Sequence, residues 1–306
     1  MSRRSVTVFA PATVANLGVG FDVLGLALDG PGDTVTAHLS DQPGVRIRSV
    51  NADIPTDATK NTAGVAAIST LKAAGVTAGV ELVIEKGLPI GSGLGSSSAS
   101  AAAAAFATNL LIGSPLRKPQ LIEPCMDAEE AVSGRHADNV APALLGGLVL
   151  VRSIDPLDVV RLPIPEGLGI VVVTPDFELK TRDARAALPQ SVPLSTMVTQ
   201  TANIAALVSA CYSGDLDLLA RCIPEHVITP ARAKLIPGAD AAIEAALDAG
   251  ALGSSISGSG PSIFALCRSR RSADEAAVAM SAAFKAAGLV ATTVISPADC
   301  PGARRI

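Results

Sequence analysis

The chain has no tryptophan, one tyrosine and six phenylalanines among 306 residues. Base-stacking platforms are built from aromatic side chains, so this scarcity argues against a nucleic-acid surface. It also leaves Ala, Val, Leu and Ile to build the cores. Lysine and arginine form no run and the net charge is -4, so the electrostatic footprint of a nucleic-acid or membrane partner is missing. No apolar stretch approaches the roughly 18 residues of a membrane span, and the short run Val6-Thr-Val-Phe9 is no secretory segment; a cytoplasmic location is expected. The five cysteines (Cys125, Cys211, Cys222, Cys267, Cys300) are odd in number and lack a C-x-x-C pair, so neither a disulfide framework nor a zinc site is indicated. What is present, 49% hydrophobic and 17% charged residues, describes a globular protein with a small-molecule partner. Single cores stop growing near ~250–300 residues, so two domains with a cleft between them are expected.

The first half reads as strands around a few helices. Alternating or β-branched patterns over 5–10, 23–28, 33–39, 45–49, 79–85 and 146–151 predict strands, and helical spacing predicts helices over 61–74, 96–111 and 120–133. The polar, proline-dotted stretch 152–165 interrupts this periodicity and places a domain boundary at 155/156, giving domains 1–155 and 156–306. Beyond it, helices are expected over 194–213, 216–222, 239–249 and 273–287, with strands at 168–174, 262–267 and 290–295. The fold class is therefore α+β.

The most informative segment is Pro89, Ile90, Gly91, Ser92, Gly93, Leu94, Gly95, Ser96, Ser97 and Ser98, between a predicted strand and an alanine-rich helix. Three glycines let the backbone turn tightly and approach a ligand, and the helix start supplies unpaired N–H groups for an anion. Gly95 is not followed by the Lys-Ser/Thr of a Walker loop, and the spacing is not the G-x-G-x-x-G of a dinucleotide fold. A serine-capped glycine turn is the bland alternative. Two more small-residue segments accompany it. Ala10-Pro-Ala-Thr-Val-Ala-Asn-Leu-Gly-Val-Gly-Phe-Asp22 puts Asn16 and Asp22 in a turn, and 253–262, read as a flexible loop, lies near the end.

Together the three segments resemble the signature motifs of the galactokinase, homoserine kinase, mevalonate kinase and phosphomevalonate kinase superfamily, over essentially the full chain. The first motif, the segment His136-Ala-Asp-Asn-Val-Ala-Pro-Ala-Leu-Leu-Gly-Gly147, and Phe177-Glu-Leu-Lys-Thr-Arg-Asp-Ala-Arg185 look like its homoserine kinase branch. The resemblance implies an N-terminal domain like the second domain of ribosomal protein S5 and a ferredoxin-like C-terminal domain. It implies ATP bound by 89–98 with Asn61 near the adenine, and Mg²⁺ held by Ser97 and Glu129. L-homoserine would be gripped by Asn16, Asp22, Asn139, Arg185 and Arg232, and a homodimer is expected by analogy. A zwitterion does need an acceptor for its ammonium and guanidinium donors for its carboxylate.

The implied chemistry is in-line attack of a hydroxyl on the γ-phosphoryl group, carried mainly by positioning and charge neutralisation. Asp138 is the nearest candidate base, Thr181 a candidate for orienting acceptor or phosphate, and His136 a lesser base candidate. Gly258, Ser259 and Gly260 are read as a loop from the second domain that supports the phosphate loop across the cleft. The rivals are a kinase of the same fold for another alcohol such as mevalonate, for which Asp22 would be a repulsive charge, and a catalytically silent nucleotide-binding regulator.

Overall fold

The computed structural model describes residues 4–132 and 134–306; Ser133, part of the expected helix 120–133, lies outside them. Strands β1 (Ser5–Ala15), β2 (Leu24–Ser40) and β3 (Gly44–Val50) precede α1 (Thr62–Ala74), β4 (Gly79–Glu85) and α2 (Ser96–Leu111). A 3-10 turn (Lys118–Leu121), α3 (Ile122–Glu130), α4 (Val140–Leu145) and the hairpin β5 (Leu148–Ile154) and β6 (Leu157–Leu162) follow. The first sheet runs β11-β1-β2-β4-β3, where β11 is Arg304–Arg305 near the end of the chain, with β5 on β2 and β6 on β5.

β2 was expected as two strands parted by Gly30-Pro-Gly32. It is one strand of 17 residues, because β1 runs beside it throughout and a bulge between Pro11 and Thr13 absorbs the irregularity. Gly32 is needed there: a Cβ would lie 2.3 Å from the Ala10 carbonyl. α2 packs against β1, β2, α1 and α3. Its residues Ala99 and Ala101 to Ala105 are fully buried, and small side chains at those positions let its backbone sit close to the sheet.

The second half contributes β7 (Gly169–Pro175), α5 (Thr181–Ala186), α6 (Leu194–Ser213), α7 (Leu216–Cys222), α8 (Ile228–Ala233) and α9 (Ala239–Asp248). It ends with β8 (Gly253–Ile256), β9 (Ile263–Cys267), α10 (Arg270–Ala286), β10 (Ala291–Pro297) and β11 (Arg304–Arg305). Its antiparallel sheet, β10-β7-β9-β8, has the β-α-β-β-α-β order of a ferredoxin-like unit. β7 is apolar from Ile170 to Val173 because both its faces are covered. Ile170 and Val172 belong to the larger core, Val171 and Val173 to the smaller.

The boundary at 155/156 is corrected: it cuts the β5–β6 hairpin, whose pairing carries the first sheet through Leu162. Asp155 and Pro156 at a hairpin turn imitate a linker in sequence. The chain also returns to the first sheet through β11. The segment 253–262 is likewise corrected. Its first four residues are β8, paired with β9, so only a tight turn remains. All five cysteines are buried free thiols; burial pushes the Cys300 thiol up to about 12, which makes it inert. Among the described residues no helix is long and apolar enough to cross a membrane.

Candidate active site

A cavity of about 240 Å³ opens between the two units. β4 delivers the loop into it and α2 begins on its wall. Gly91, Gly93 and Gly95 take φ of 66°, 77° and 66°, the left-handed region that only glycine enters freely. At Gly95 a Cβ would lie 2.1 Å from Thr13 Oγ1 and 2.9 Å from Asn139 Oδ1. No side chain caps α2 at Gly95, so its first amides are left for a ligand. Ser98 Oγ is buried without a partner and borders the same cavity. Pro89 and Leu94 do not line it: Pro89 is exposed, and the Leu94 side chain goes to the core while its carbonyl accepts from Thr13 N at 3.0 Å.

The turn after β8 grips this loop from the second unit. Ser257 Oγ donates to Gly93 O at 2.6 Å and Ser262 Oγ to Ser92 O at 2.6 Å. Gly258 joins the first motif as well, its N–H donating to Ala15 O at 3.2 Å and its carbonyl accepting from Asn16 Nδ2 at 2.9 Å.

Asn16, Leu17 and Asp22 have positive φ (74°, 44° and 59°), a strained conformation that clusters at ligand sites. Asn16 Oδ1 holds the turn by accepting from Asp22 N at 3.1 Å. The Asp22 carboxylate meets Arg185 at 3.1 and 3.3 Å, and Arg185 Nη2 lies 3.2 Å from His136 Nε2. A guanidinium can only donate, so Nε2 is the acceptor and its lone pair is engaged by Arg185. Arg232 is 3% exposed, donates to Gly258 O at 2.6 Å and Ala184 O at 3.3 Å, and shares the Phe21 ring with Arg185. Short helix α8 carries it. Glu225 fixes that helix by accepting from Val227 N and Thr229 N, both at 2.6 Å. Asn139 Oδ1 accepts from Thr13 Oγ1 at 2.7 Å. Thr181 does not cap α5, whose N-cap position is Lys180 and has no side-chain cap; the Thr181 hydroxyl meets Ser259 Oγ at 3.3 Å.

Residues 61–147 match the family model "GHMP kinases N terminal domain", and residues 207–286 match "GHMP kinases C terminal". A homoserine kinase of Chlorobaculum tepidum is 44% identical over 99% of this chain and 98% of its own length. One of Arabidopsis thaliana is 44% identical over 99% of this chain and 85% of its own. The crystal structure of homoserine kinase from Cytophaga hutchinsonii superposes with a TM-score of 0.96 at 46% identity, covering 100% of this chain and 98% of that one. The chain belongs to the homoserine kinase family of the GHMP kinases.

In this GHMP kinase the cavity gathers Asn16, Asp22, Asn61, Glu129, Asp138, Asn139, Thr181, Arg185 and Arg232, together with Ile90 to Gly93 and Gly95 to Ser98. Of the two adjacent acids, Glu129 is buried and borders it, whereas Glu130 is exposed and meets Arg135 at 3.4 Å. Asn61 is already committed to the fold. Its Oδ1 caps α1 from Ala63 N and Gly64 N, and its Nδ2 donates to Pro55 O at 2.8 Å, which holds Ile54 and Pro55 against the cavity. Arg185 is half-exposed and its Nε has no partner.

Burial, then repulsion from Asp22, raises the Asp138 carboxyl to about 7. Burial, then repulsion from Arg185, lowers Arg232 to about 10, so it stays charged at neutral pH. The sequence reading missed Lys86, Ser100, Phe21 and Thr13. Only Lys86 left a signal, a basic residue directly after a strand and just before the glycine loop.

Proposed function

We propose that this GHMP kinase transfers the γ-phosphoryl group of Mg·ATP to the side-chain hydroxyl of L-homoserine, giving O-phospho-L-homoserine and ADP. The supporting observation is one cavity in which the glycine loop faces a carboxylate and two guanidiniums, Asp22, Arg185 and Arg232. Asp22 suits an ammonium, and the two arginines suit a carboxylate. Asp22 and Arg185 pair with each other at 3.1 Å. An incoming zwitterion exchanges that pair for two of its own, so neither charge is left bare. The same reading assigns the enzyme to the cytoplasm and to threonine biosynthesis.

The Mg²⁺ donor set fits. Ser97 and Glu129 offer hard oxygens on the cavity wall, which is enough for a cation that keeps several waters. Bound there, the metal would neutralise charge on the phosphates. The open α2 amides and Ser98 Oγ hold the phosphate oxygens. Arg185 and Arg232 orient the acceptor carboxylate, and Asn139 and Thr181 border the reacting hydroxyl. Asp138, half ionised near neutrality, receives its proton.

A coupled ADP-release assay with homoserine, threonine, mevalonate and galactose tests the reading. Homoserine should accelerate ADP release most; no acceleration by any acceptor, with ATP bound, would sink it. Ser97→Ala and Glu129→Ala are expected to lower turnover about ten- to fiftyfold and raise the Mg²⁺ concentration needed for half-maximal rate. Wild-type Mg²⁺ dependence in both would remove the metal assignment. Gly95→Ala should raise KM for ATP about tenfold, because its Cβ displaces Thr13 and Asn139 and its φ is strained; unchanged kinetics would show that the loop tolerates a side chain.

A further inference from the structure

Both ends of the phosphate loop are fastened to one buried ion pair. Asp33 on β2 is fully buried and pairs with Lys86, whose side chain is 7% exposed. Asp33 Oδ1 accepts from Gly87 N at 3.0 Å and Leu88 N at 3.2 Å, the residues where the loop begins. Lys86 Nζ donates to Ser96 O at 2.8 Å and Ser100 Oγ at 2.9 Å, in the first turns of α2 where the loop ends. Ser100 Oγ closes the ring by donating to Asp33 Oδ2 at 2.6 Å. All three ammonium protons are used and the carboxylate accepts four bonds, close to its full capacity.

An apolar pair of equal size would hold β2 against α2 about as firmly, since a buried ion pair adds little net stability. What the ion pair adds is direction. Each bond fixes an atom of the loop entrance or of the α2 start relative to one point on β2. Lys86, Ser96 and Ser100 also border the cavity, so the fixed points lie on the wall of the proposed phosphate site rather than remote from it.

We propose that Asp33, Lys86 and Ser100 are positioning residues that hold the loop in its phosphate-receiving geometry and so set nucleotide affinity without acting on the acceptor. This rests on the phosphoryl-transfer reading. Calorimetric titration with Mg·ADP and two-substrate kinetics test it on Ser100→Ala, which keeps the ion pair, and on the double variant Asp33→Leu/Lys86→Met, which restores apolar packing. Ser100→Ala should weaken Mg·ADP binding about three- to fivefold and the double variant at least tenfold. KM for ATP should rise in parallel and KM for homoserine stay within twofold. Wild-type Mg·ADP affinity in Ser100→Ala, or an equal loss of homoserine affinity, would overturn the proposal whatever the change in Tm. Failure of the wild-type protein itself to bind Mg·ADP would overturn both this and the phosphoryl-transfer reading, which separates the two cases.

Discussion

Arg232→Ala is expected to lower kcat/KM for homoserine about 10³-fold while leaving KM for ATP within twofold. Truncating one partner of a buried, hydrogen-bonded charge pair costs ~2–5 kcal/mol, and about 4 kcal/mol corresponds to that factor. The guanidinium is buried, and two of its donors are taken by the carbonyls of Gly258 and Ala184. Among the described residues no carboxylate lies within ion-pair distance of it. A buried cation that is hydrogen-bonded to carbonyls and stacked on an aromatic face, with no carboxylate in direct contact, is poised for an anion that arrives from solution. Arg232→Lys should recover little, because an ammonium cannot satisfy both carbonyls and grip a carboxylate in one plane. Thermal denaturation of both variants supplies the control. A lowered Tm with normal homoserine KM would make Arg232 a structural strut between α5 and the Gly258 turn.

The residue types at this site were legible in sequence, but their mutual arrangement was not. Glycines at 91, 93 and 95 betray the loop because the turn itself demands positive φ, a local requirement. β4 and α2 were bounded correctly for a similar reason: glycine and serine punctuation coincides with a change from period-2 to helical spacing. By contrast, α5 and α8, the carriers of Arg185 and Arg232, have six residues each, too few to display a period. β8 hid among small residues that read as a flexible loop. The Asp22–Arg185 pair spans 163 positions and the Asp33–Lys86 pair 53. Local pattern carries no information about such contacts, which are set only when β1, β2 and α2 pack and the second unit closes over them.

Asp138 is expected to give opposite signs in activity and stability when its charge is removed. Its carboxyl sits at about 7 because burial disfavours the ionised form and Asp22 and Glu129 repel it. The ionised fraction, the form able to accept the acceptor's proton, therefore grows through neutrality. In the wild-type enzyme kcat/KM should rise with pH on a limb centred near 7 and level off above it. Asp138→Asn should abolish that limb and lower turnover at pH 8 by about 10²-fold, the lower end of what a general base contributes.

Stability runs the other way. The folded pKa lies above the unfolded value of ~3.9. The contribution of Asp138 is thus fully present below pH ~4 and is lost as pH rises through 7. That loss is on the order of 4 kcal/mol for a shift of about three units. The asparagine carries no charge, so Asp138→Asn should match the wild-type Tm near pH 4 and exceed it at pH 8. Activity within tenfold of wild type at pH 8 would exclude base catalysis by Asp138 and leave positioning by Arg185, Arg232 and the glycine loop to carry the reaction. An unchanged Tm difference between pH 4 and pH 8 would instead show that this carboxylate is ionised in the folded protein throughout, and the pH limb would then need another owner.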